Sequence, residues 1–395
     1  MAHSSGQRQP NGNPGERADW VRLSGWTYGL DHRRFAIGSS QELITPRKPL
    51  GSGFLGFVQE VSVRGGLRNI VQKTVYLSNE DRQLKRRLIE DEVRTLRQLE
   101  HEHVVLLLGS FEEVDQSDRG LYCSLMAPVG EQNLAAFLRE SDQRRAEHAG
   151  WLRKWFSCLA SALAYIHDQG VRHEDIKPQN IIHLRDRIFF TDFGSATMFS
   201  NRDVTSYSGP ASAITRKYAA PEHLDGGSNS QARNRRGARS DVFSLGCVFS
   251  EMLVVISGYT MDQFDNYLRV DHERPAPYSQ NVRSMDEWFG SGGMGSHNRQ
   301  IYSSIIRPML ATERTRRPKA DRILEQLGID PMRSILPCPC DHASPPAQQQ
   351  SSGPTETVAT TSTQWQWSAT HQQYYYTTTD SNGNSQYVFA DQSQT

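Results

Sequence analysis

The sequence predicts an α+β protein of two unequal lobes: a small antiparallel β-sheet lobe carrying one helix, and a larger, mainly helical lobe. Three observations predict it. The stretch FVQEVSVRGGLRNIVQKTV alternates apolar and polar residues, is rich in β-branched side chains and is broken by an Arg-Gly-Gly turn, the pattern of a hairpin. LKRRLIEDEVRTLRQLEHEH, which follows it, has helical spacing. Further on, SALAYIHDQG and VFSLGCVFSEMLVVISGY read as helices, the second apolar enough to be buried but too short and interrupted to span a bilayer comfortably.

Composition bounds the function. The 395 residues suit one large two-lobed domain with ragged ends. Lys and Arg number 44, equal to Asp and Glu, so no global charge points to nucleic acid or an anionic membrane. The N-terminus has no apolar stretch of the secretory type, and no membrane insertion is expected. Five scattered cysteines suit a reducing compartment, hence an intracellular protein, cytoplasmic and/or nuclear. Cys338-Pro-Cys340-Asp-His342 is short of a fourth ligand for a metal and reads as a free-thiol linker.

Residues 1–20 are polar and Gly/Pro-rich and are expected to be disordered, with an N-terminal extension over 21–42. The small lobe is expected over 43–126, a connecting segment over 127–131 and the large lobe over 132–330. Within the large lobe, Asp225–Ser240 is basic and Gly-rich and reads as an exposed insertion. Residues 331–395, rich in Ser, Thr, Gln and Tyr, are expected to be a disordered tail; its WQW and YYY clusters raise self-association against the plainer reading of a passive solvated segment.

Taken in chain order, LGSGFLGFV supplies Gly51, Gly53 and Gly56, followed by Val58. The dinucleotide-binding turn has the same letters but opens a helix; here a hairpin follows, so the loop joins two strands. In the next helix Leu88, Glu92, Leu96 and Leu99 share one face, with Ser78, Asn79 and Asp81 as a candidate N-terminal cap, while Glu90 and Asp91 face solvent. Glu92 is an odd carboxylate among leucines, and a buried partner such as Lys73, at the end of strand NIVQK, would resolve it. A helix ending in YIHDQG stops at Gly170. The run HEDIKPQN then places Asp175, Lys177 and Asn180 on one tight loop, and Asp192 follows after a short apolar strand. Phosphoryl transfer needs such groups: a carboxylate to orient a hydroxyl, a cation for the migrating phosphate, and an amide and a second carboxylate for magnesium.

HEDIKPQN with TDFG and AAPE, in this order, resembles the catalytic loop, magnesium motif and activation-segment end of eukaryotic protein kinases over residues 43–328. The Lys-Pro pair of HEDIKPQN resembles the serine/threonine branch, and the whole resembles divergent kinase-domain proteins of filamentous fungi. The resemblance implies a two-lobed protein kinase fold with ATP and Mg2+ as cofactors and a protein Ser/Thr hydroxyl as acceptor. It implies that Asp175 orients the hydroxyl, Lys177 neutralises the transferring phosphoryl, and Asn180 and Asp192 hold magnesium. Lys73 would contact the α- and β-phosphates and pair with Glu92, and Thr215 would sit beside Asp175 and Lys177. Gly51, Gly53, Gly56 and Val58 would cover the nucleotide. Val71, where the family usually has alanine, would lie over adenine, with Ile182 beneath it. Met126 would be the gatekeeper, with the Ala127 carbonyl and the Val129 N–H meeting adenine. Glu222 would pair with Arg317, and Asp241 would brace the catalytic loop; small-molecule phosphotransferases generally lack the Glu222–Arg317 device.

One departure stands out. The family's HRD reads His173-Glu174-Asp175, and a glutamate repels the activation-loop phosphate that an arginine would hold. Glu174 is expected to pair with Arg202, Arg216 or Lys217, and activation is expected not to run through a phosphate at this position; Ser195, Thr197, Ser206 and Ser208 are the candidate acceptors. The competing reading is a nucleotide-binding pseudokinase scaffold with a self-associating tail. The sequence leaves oligomeric state and physiological substrate open.

Overall fold

Strand-forming residues in the first third of the chain assemble one sheet, and the residues after the connecting segment supply helices that share one apolar core. The structure is a computed structural model and describes residues 14–52, 56–77, 81–117, 119–140, 149–198, 216–224, 237–268, 276–291, 293–328, 338, 366–368, 373–379 and 385–389. Gly53, Ser78, Asn79, Arg202, Ser206, Ser208, Thr215, Cys340 and His342, among the expected features, lie outside these residues.

The chain begins with helix α1 (Pro14–Ser24) and strand β1 (His32–Phe35). Strands β2 (Ile44–Ser52), β3 (Gly56–Val63) and β4 (Ile70–Leu77) follow, then helix α2 (Arg82–Gln98) and strands β5 (Leu106–Val114) and β6 (Gly120–Ala127). These six strands form one sheet in the order β1-β5-β6-β4-β3-β2. Five strands pair antiparallel as expected, but β1 joins β5 in parallel, so the small lobe is mixed rather than purely antiparallel.

That sixth strand joins the N-terminal extension to the small lobe, and α1 begins at Pro14. The physical reason is Trp26, fully buried and packed on Phe111 at 6.1 Å between ring centroids. Its indole N–H donates to the Gly29 carbonyl at 2.9 Å. A Cβ on Gly109 would lie 2.3 Å from the Trp26 ring nitrogen, so the strand beneath must carry glycine there. Trp26, Ile44, Val61, Ile70, Phe111, Cys123, Leu125 and Ala127 form a separate apolar cluster on this face of the sheet.

The other face looks toward α2 and the large lobe. Ile89, Glu92, Val93, Leu96 and Leu99 are buried, whereas Leu88 is only partly covered. Asp81 stands at the N-cap of α2 without a side-chain cap bond; its carboxylate instead reaches Lys85 at 3.0 Å.

After the connecting segment come β7 (Gln132–Asn133), α3 (Leu134–Phe137) and α4 (Ala149–Asp168), which ends before Gly170 in the left-handed region at φ 73°. Short strands β8 (Val171–Arg172), β9 (Ile181–Leu184), β10 (Arg187–Phe190) and β11 (Thr197–Met198) carry the catalytic-loop region. Helices α5 (Pro221–Leu224), α6 (Ala238–Ile256), α7 (Met261–Leu268) and α8 (Val282–Gly290) follow, then α9 (Ser296–Ile301), which runs on through a π turn (Tyr302–Ile306), and α10 (Ala320–Gly328). α6 is buried nearly throughout, including Glu251 and Asp241. No helix among the described residues is long and apolar enough to cross a membrane.

Residues Pro345–Thr395 form a separate unit. Within it β12 (Gln366–Ser368), β13 (Gln373–Thr379) and β14 (Ser385–Phe389) pair antiparallel with β13 in the centre. These three segments lie within the stretch expected to be a disordered tail. Low aliphatic content argues against a large core, but Tyr, Thr, Val, Phe and Trp all favour extended backbone, and antiparallel pairing satisfies their main-chain groups locally.

Candidate active site

Two clusters of charged side chains meet below the sheet. In the first, Lys73 on β4 donates to both oxygens of Glu92 on α2 at 2.8 Å and to Asp192 Oδ1 at 2.9 Å. Strand period and helix period jointly make this pair: Lys73 shares the inward face of β4 with Val71, and Glu92 shares the inward face of α2 with Leu96. Burial alone would lower the Lys73 pKa, but the Asp192 and Glu92 carboxylates outweigh it and hold it above the ordinary lysine value. Burial raises the Glu92 pKa, with Lys73 opposing. The Lys73 ammonium brings the Asp192 carboxyl down to about 2, although that side chain is 47 % exposed in the cleft. Asp192 itself sits in the left-handed region at φ 60°, which turns its carboxylate back toward Lys73.

In the second cluster, Asp175 Oδ2 accepts from Lys177 Nζ at 2.8 Å and from Asn180 Nδ2 at 2.8 Å, and the same amide donates to the Asp175 carbonyl at 2.9 Å. Both Asn180 N–H donors therefore point at Asp175. The clusters are tied through the backbone: Thr191 N–H donates to the Asn180 carbonyl at 3.0 Å, and Thr191 immediately precedes Asp192. The His173 ring lies 3.1 Å from the Thr191 carbonyl and packs on Phe193 at 4.6 Å.

Asp241, buried in the first turn of α6, underpins the loop. Its carboxylate accepts from the backbone N–H of His173 at 3.0 Å and of Glu174 at 2.9 Å, and meets His167 Nε2 at 2.9 Å. Burial pushes its pKa up, but the His167 contact and these hydrogen bonds hold it below the usual range.

Glu174 follows His173 in the catalytic loop, and Arg202, one of its expected partners, lies outside the described residues. The Glu174 backbone is left-handed at φ 63°. Its carboxylate accepts the Thr197 hydroxyl at 2.7 Å and lies 3.6 Å from Arg172 Nε. Arg172 and Thr197 are cross-strand partners in the β8–β11 ladder, so Glu174 caps that ladder. Lys217, an expected partner, turns instead to Asp265 at 2.8 Å and Glu251 at 3.2 Å. Thr197, named as a possible phosphate acceptor, is buried with its hydroxyl committed.

An apolar surface borders the cleft. Val71 and Met126 are cross-strand partners and belong to the core shared with the large lobe, whereas Leu125 and Ala127 side chains join the opposite cluster around Trp26. Met126 thus shares the Lys73 face of the sheet. Val58, Val129 and Ile182 are partly buried against the same core. Gly56 has an internal reason to be glycine: a Cβ would lie 1.8 Å from the Thr74 carbonyl oxygen. At Gly51 a Cβ would meet nothing among the described residues.

Below this, Glu222 and the fully buried Arg317 make a bidentate pair at 2.7 Å for both bonds. Arg317 also donates to the carbonyls of Ala311, Arg239 and Thr312 and lies over Phe243 at 5.0 Å. A second buried network escaped the sequence reading: Glu251 accepts from Tyr218 at 2.8 Å and Tyr278 at 2.5 Å, and Asp265 is held by Lys217 and by Arg139 at 2.6 Å. A lone glutamate inside the apolar run of α6 was the available signal.

The sheet and the catalytic-loop region thus carry a lysine–glutamate pair and a carboxylate–lysine–asparagine loop, tied together through Thr191. Residues 44–327 match the protein kinase domain, and the chain belongs to that family. It is similar to a probable serine/threonine-protein kinase, fhkD, of Dictyostelium discoideum, 28% identical over 46% of this chain and 24% of that protein. It is also similar to mitogen-activated protein kinase 5 of Arabidopsis thaliana, 26% identical over 54% of this chain and 53% of the relative. Mitogen-activated protein kinase 12 of Homo sapiens is 27% identical over 66% and 67% respectively. The first two matches thus span about a quarter and about half of those relatives' lengths.

Proposed function

We propose that the chain is a serine/threonine protein kinase that transfers the γ-phosphoryl group of ATP to a protein hydroxyl. The observation that carries this reading is the convergence of Lys177 and Asn180 on the Asp175 carboxylate, joined by Thr191 to the Lys73–Glu92–Asp192 cluster.

ATP would lie with adenine between Val58 and Val71 above and Ile182 below, beside Met126, with the Ala127 carbonyl and Val129 N–H on its edge. Gly51, Gly53 and Gly56 would bring backbone over the phosphates. Lys73, held by Glu92, would contact the α- and β-phosphates. The donor set fits Mg2+: Asp192 offers a half-exposed carboxylate, and Asn180, with both N–H donors turned to Asp175, keeps its carbonyl oxygen as a hard ligand. Asp192 and Asn180 would hold magnesium, which would neutralise charge on the nucleotide phosphates.

Asp175 orients the acceptor hydroxyl and takes its proton as the hydroxyl oxygen bonds to γ-phosphorus. The bond from γ-phosphorus to the β,γ-bridging oxygen breaks, and ADP leaves. Lys177, 2.8 Å from Asp175, supplies positive charge to the equatorial oxygens, and Thr215 would stand beside both. The Glu222–Arg317 anchor supports a peptide acceptor, because it fixes the end of the activation segment as a platform.

Incubating the full chain with labelled ATP, magnesium and Ser/Thr and Tyr peptides tests the reading, with Asp175→Asn and Asp192→Asn alongside. Label on serine or threonine in the wild type, lost in both variants, is expected. ATP-dependent thermal stabilisation without transfer would replace it with a nucleotide-binding scaffold.

A further inference from the structure

Three side chains that phosphoryl transfer leaves unused converge at the base of the small lobe. His103 lies in the loop between α2 and β5, Cys158 lies within α4, and Cys338 lies beyond the end of α10. All three are buried, and their ligand atoms lie within 4.8 Å of one another. His103 Nε2 is 3.1 Å from Cys338 Sγ.

The histidine is oriented from behind. Its Nδ1 lies 2.8 Å from the Ile188 carbonyl oxygen, which can only accept, so Nδ1 carries the proton and Nε2 turns its lone pair toward the sulfurs. A backbone carbonyl behind the ring is the usual way a metal-bound imidazole is held in one tautomer. Cys158 is in no disulfide, whereas Cys338 is a half-cystine, which departs from the free-thiol linker expected from the sequence. A disulfide sulfur has no proton to give, so in that state the short His103–Cys338 contact sets two lone pairs against each other in a buried place. Reduction returns a thiol that donates to His103 Nε2, and a cation held by the resulting thiolate and the imidazole would take that proton's place.

Ligand chemistry selects the cation. One imidazole and two sulfurs, with no carboxylate among them, suit zinc and not magnesium or calcium. Zn–S bonds of about 2.3 Å and Zn–N bonds of about 2.0 Å in a tetrahedron set ligand atoms roughly 3.5–4 Å apart, within the observed spread. We propose that His103, Cys158 and Cys338 form a structural zinc site that staples the segment after α10 to α4 and to the strand leading into Asp192. The link to that strand is direct: His103 receives the Phe190 N–H on its carbonyl at 2.9 Å while its ring holds Ile188. Cys340, the remaining cysteine of the sequence, lies outside the described residues.

Loading requires Cys338 as a thiolate. A dithiol reductant passes two electrons and two protons to the disulfide and is itself oxidised to a disulfide. Zinc then displaces the protons of Cys158 and Cys338 to solvent, while His103 binds neutral through Nε2.

The test uses the full chain, reduced with a dithiol, desalted under argon and titrated with Co2+. One cobalt per chain is expected, with the visible bands of tetrahedral cobalt and a thiolate-to-cobalt charge-transfer band, both bleached by one equivalent of Zn2+. Cys158→Ser and Cys338→Ser are each expected to lose most of the charge-transfer intensity and to bind at least about tenfold more weakly, whereas Cys247→Ser, a buried thiol elsewhere on α6, keeps the wild-type spectrum. Reduced, folded wild-type protein without a charge-transfer band overturns the proposal, and so does an unchanged spectrum in Cys338→Ser. Because the wild type alone can fail the test, misfolding of a variant does not protect the idea.

Discussion

Lys73 lies between two carboxylates of different character, and the difference predicts different effects. Glu92 is buried and spends both oxygens on Lys73, so its role is to hold that ammonium. Glu92→Gln removes one charge-assisted interaction of about 1.5–3 kcal/mol and is expected to lower kcat/KM roughly ten- to hundredfold, read by steady-state phosphorylation of a Ser/Thr peptide. Asp192 is half-exposed, and its carboxyl is lowered from 3.8 to about 2 by Lys73. A group whose pKa is depressed on folding stabilises fully above its unfolded value and loses that contribution as pH falls through the folded one. Asp192 therefore contributes above pH 3.8 and loses it toward pH 2, by about 1 kcal/mol once solvent screening is allowed for. Urea titrations across that window should show a shallower acid slope in Asp192→Asn. At Glu174, the carboxylate already serves Thr197 and Arg172. Phosphatase treatment is expected to leave wild-type activity within about twofold, and Glu174→Arg to lower it by disturbing the β8–β11 ladder, an order-of-magnitude expectation from one lost buried hydrogen bond. Strong phosphatase inactivation of the wild type, mapped to one activation-loop phosphate, would count against this.

At the scale of elements, buried charge holds loops onto helices. Arg317 has no exposed surface, and each of its three nitrogens is bonded: to Glu222, to three carbonyls and, through the guanidinium face, to Phe243. Arg317→Met leaves Glu222 half-buried without its cation. The expected destabilisation is about 3–5 kcal/mol, measured by chemical denaturation, with part of the loss recovered in the double variant Glu222→Gln/Arg317→Met. Asp241 acts in the same way on the catalytic loop, accepting two successive backbone N–H groups that no strand or helix partner satisfies. These struts were legible in the sequence because each is one acidic or basic residue at a fixed place in a motif. The Glu251–Lys217–Asp265–Arg139 network was not, because its members come from four separated segments and none has a spacing that marks the others.

At the scale of the whole molecule, the N-terminal extension is part of the small lobe. Trp26 closes the outer face of the sheet, and Gly109 is shaped to receive it. Trp26→Ala is expected to cost about 3–5 kcal/mol through the cavity it leaves, visible as a lower denaturation midpoint with an unchanged slope. β1 ties the same extension to β5, with His32 stacked on Tyr122 at 4.8 Å and bonded to Ser110 at 2.9 Å. The C-terminal unit has its own three-stranded pairing.

By itself the sequence determined the two-lobed fold, the matching of Lys73 with Glu92, and the grouping of Asp175, Lys177 and Asn180. Those features depend on short spacings and on strand and helix periods, which one-dimensional patterns carry. Only the tertiary structure decided which groups share a low-dielectric interior: Trp26 against the sheet, Arg172 and Thr197 at Glu174, and His103 beside Cys158 and Cys338. Such meetings follow from how layers pack, and packing brings together residues whose separation along the chain holds no period to read.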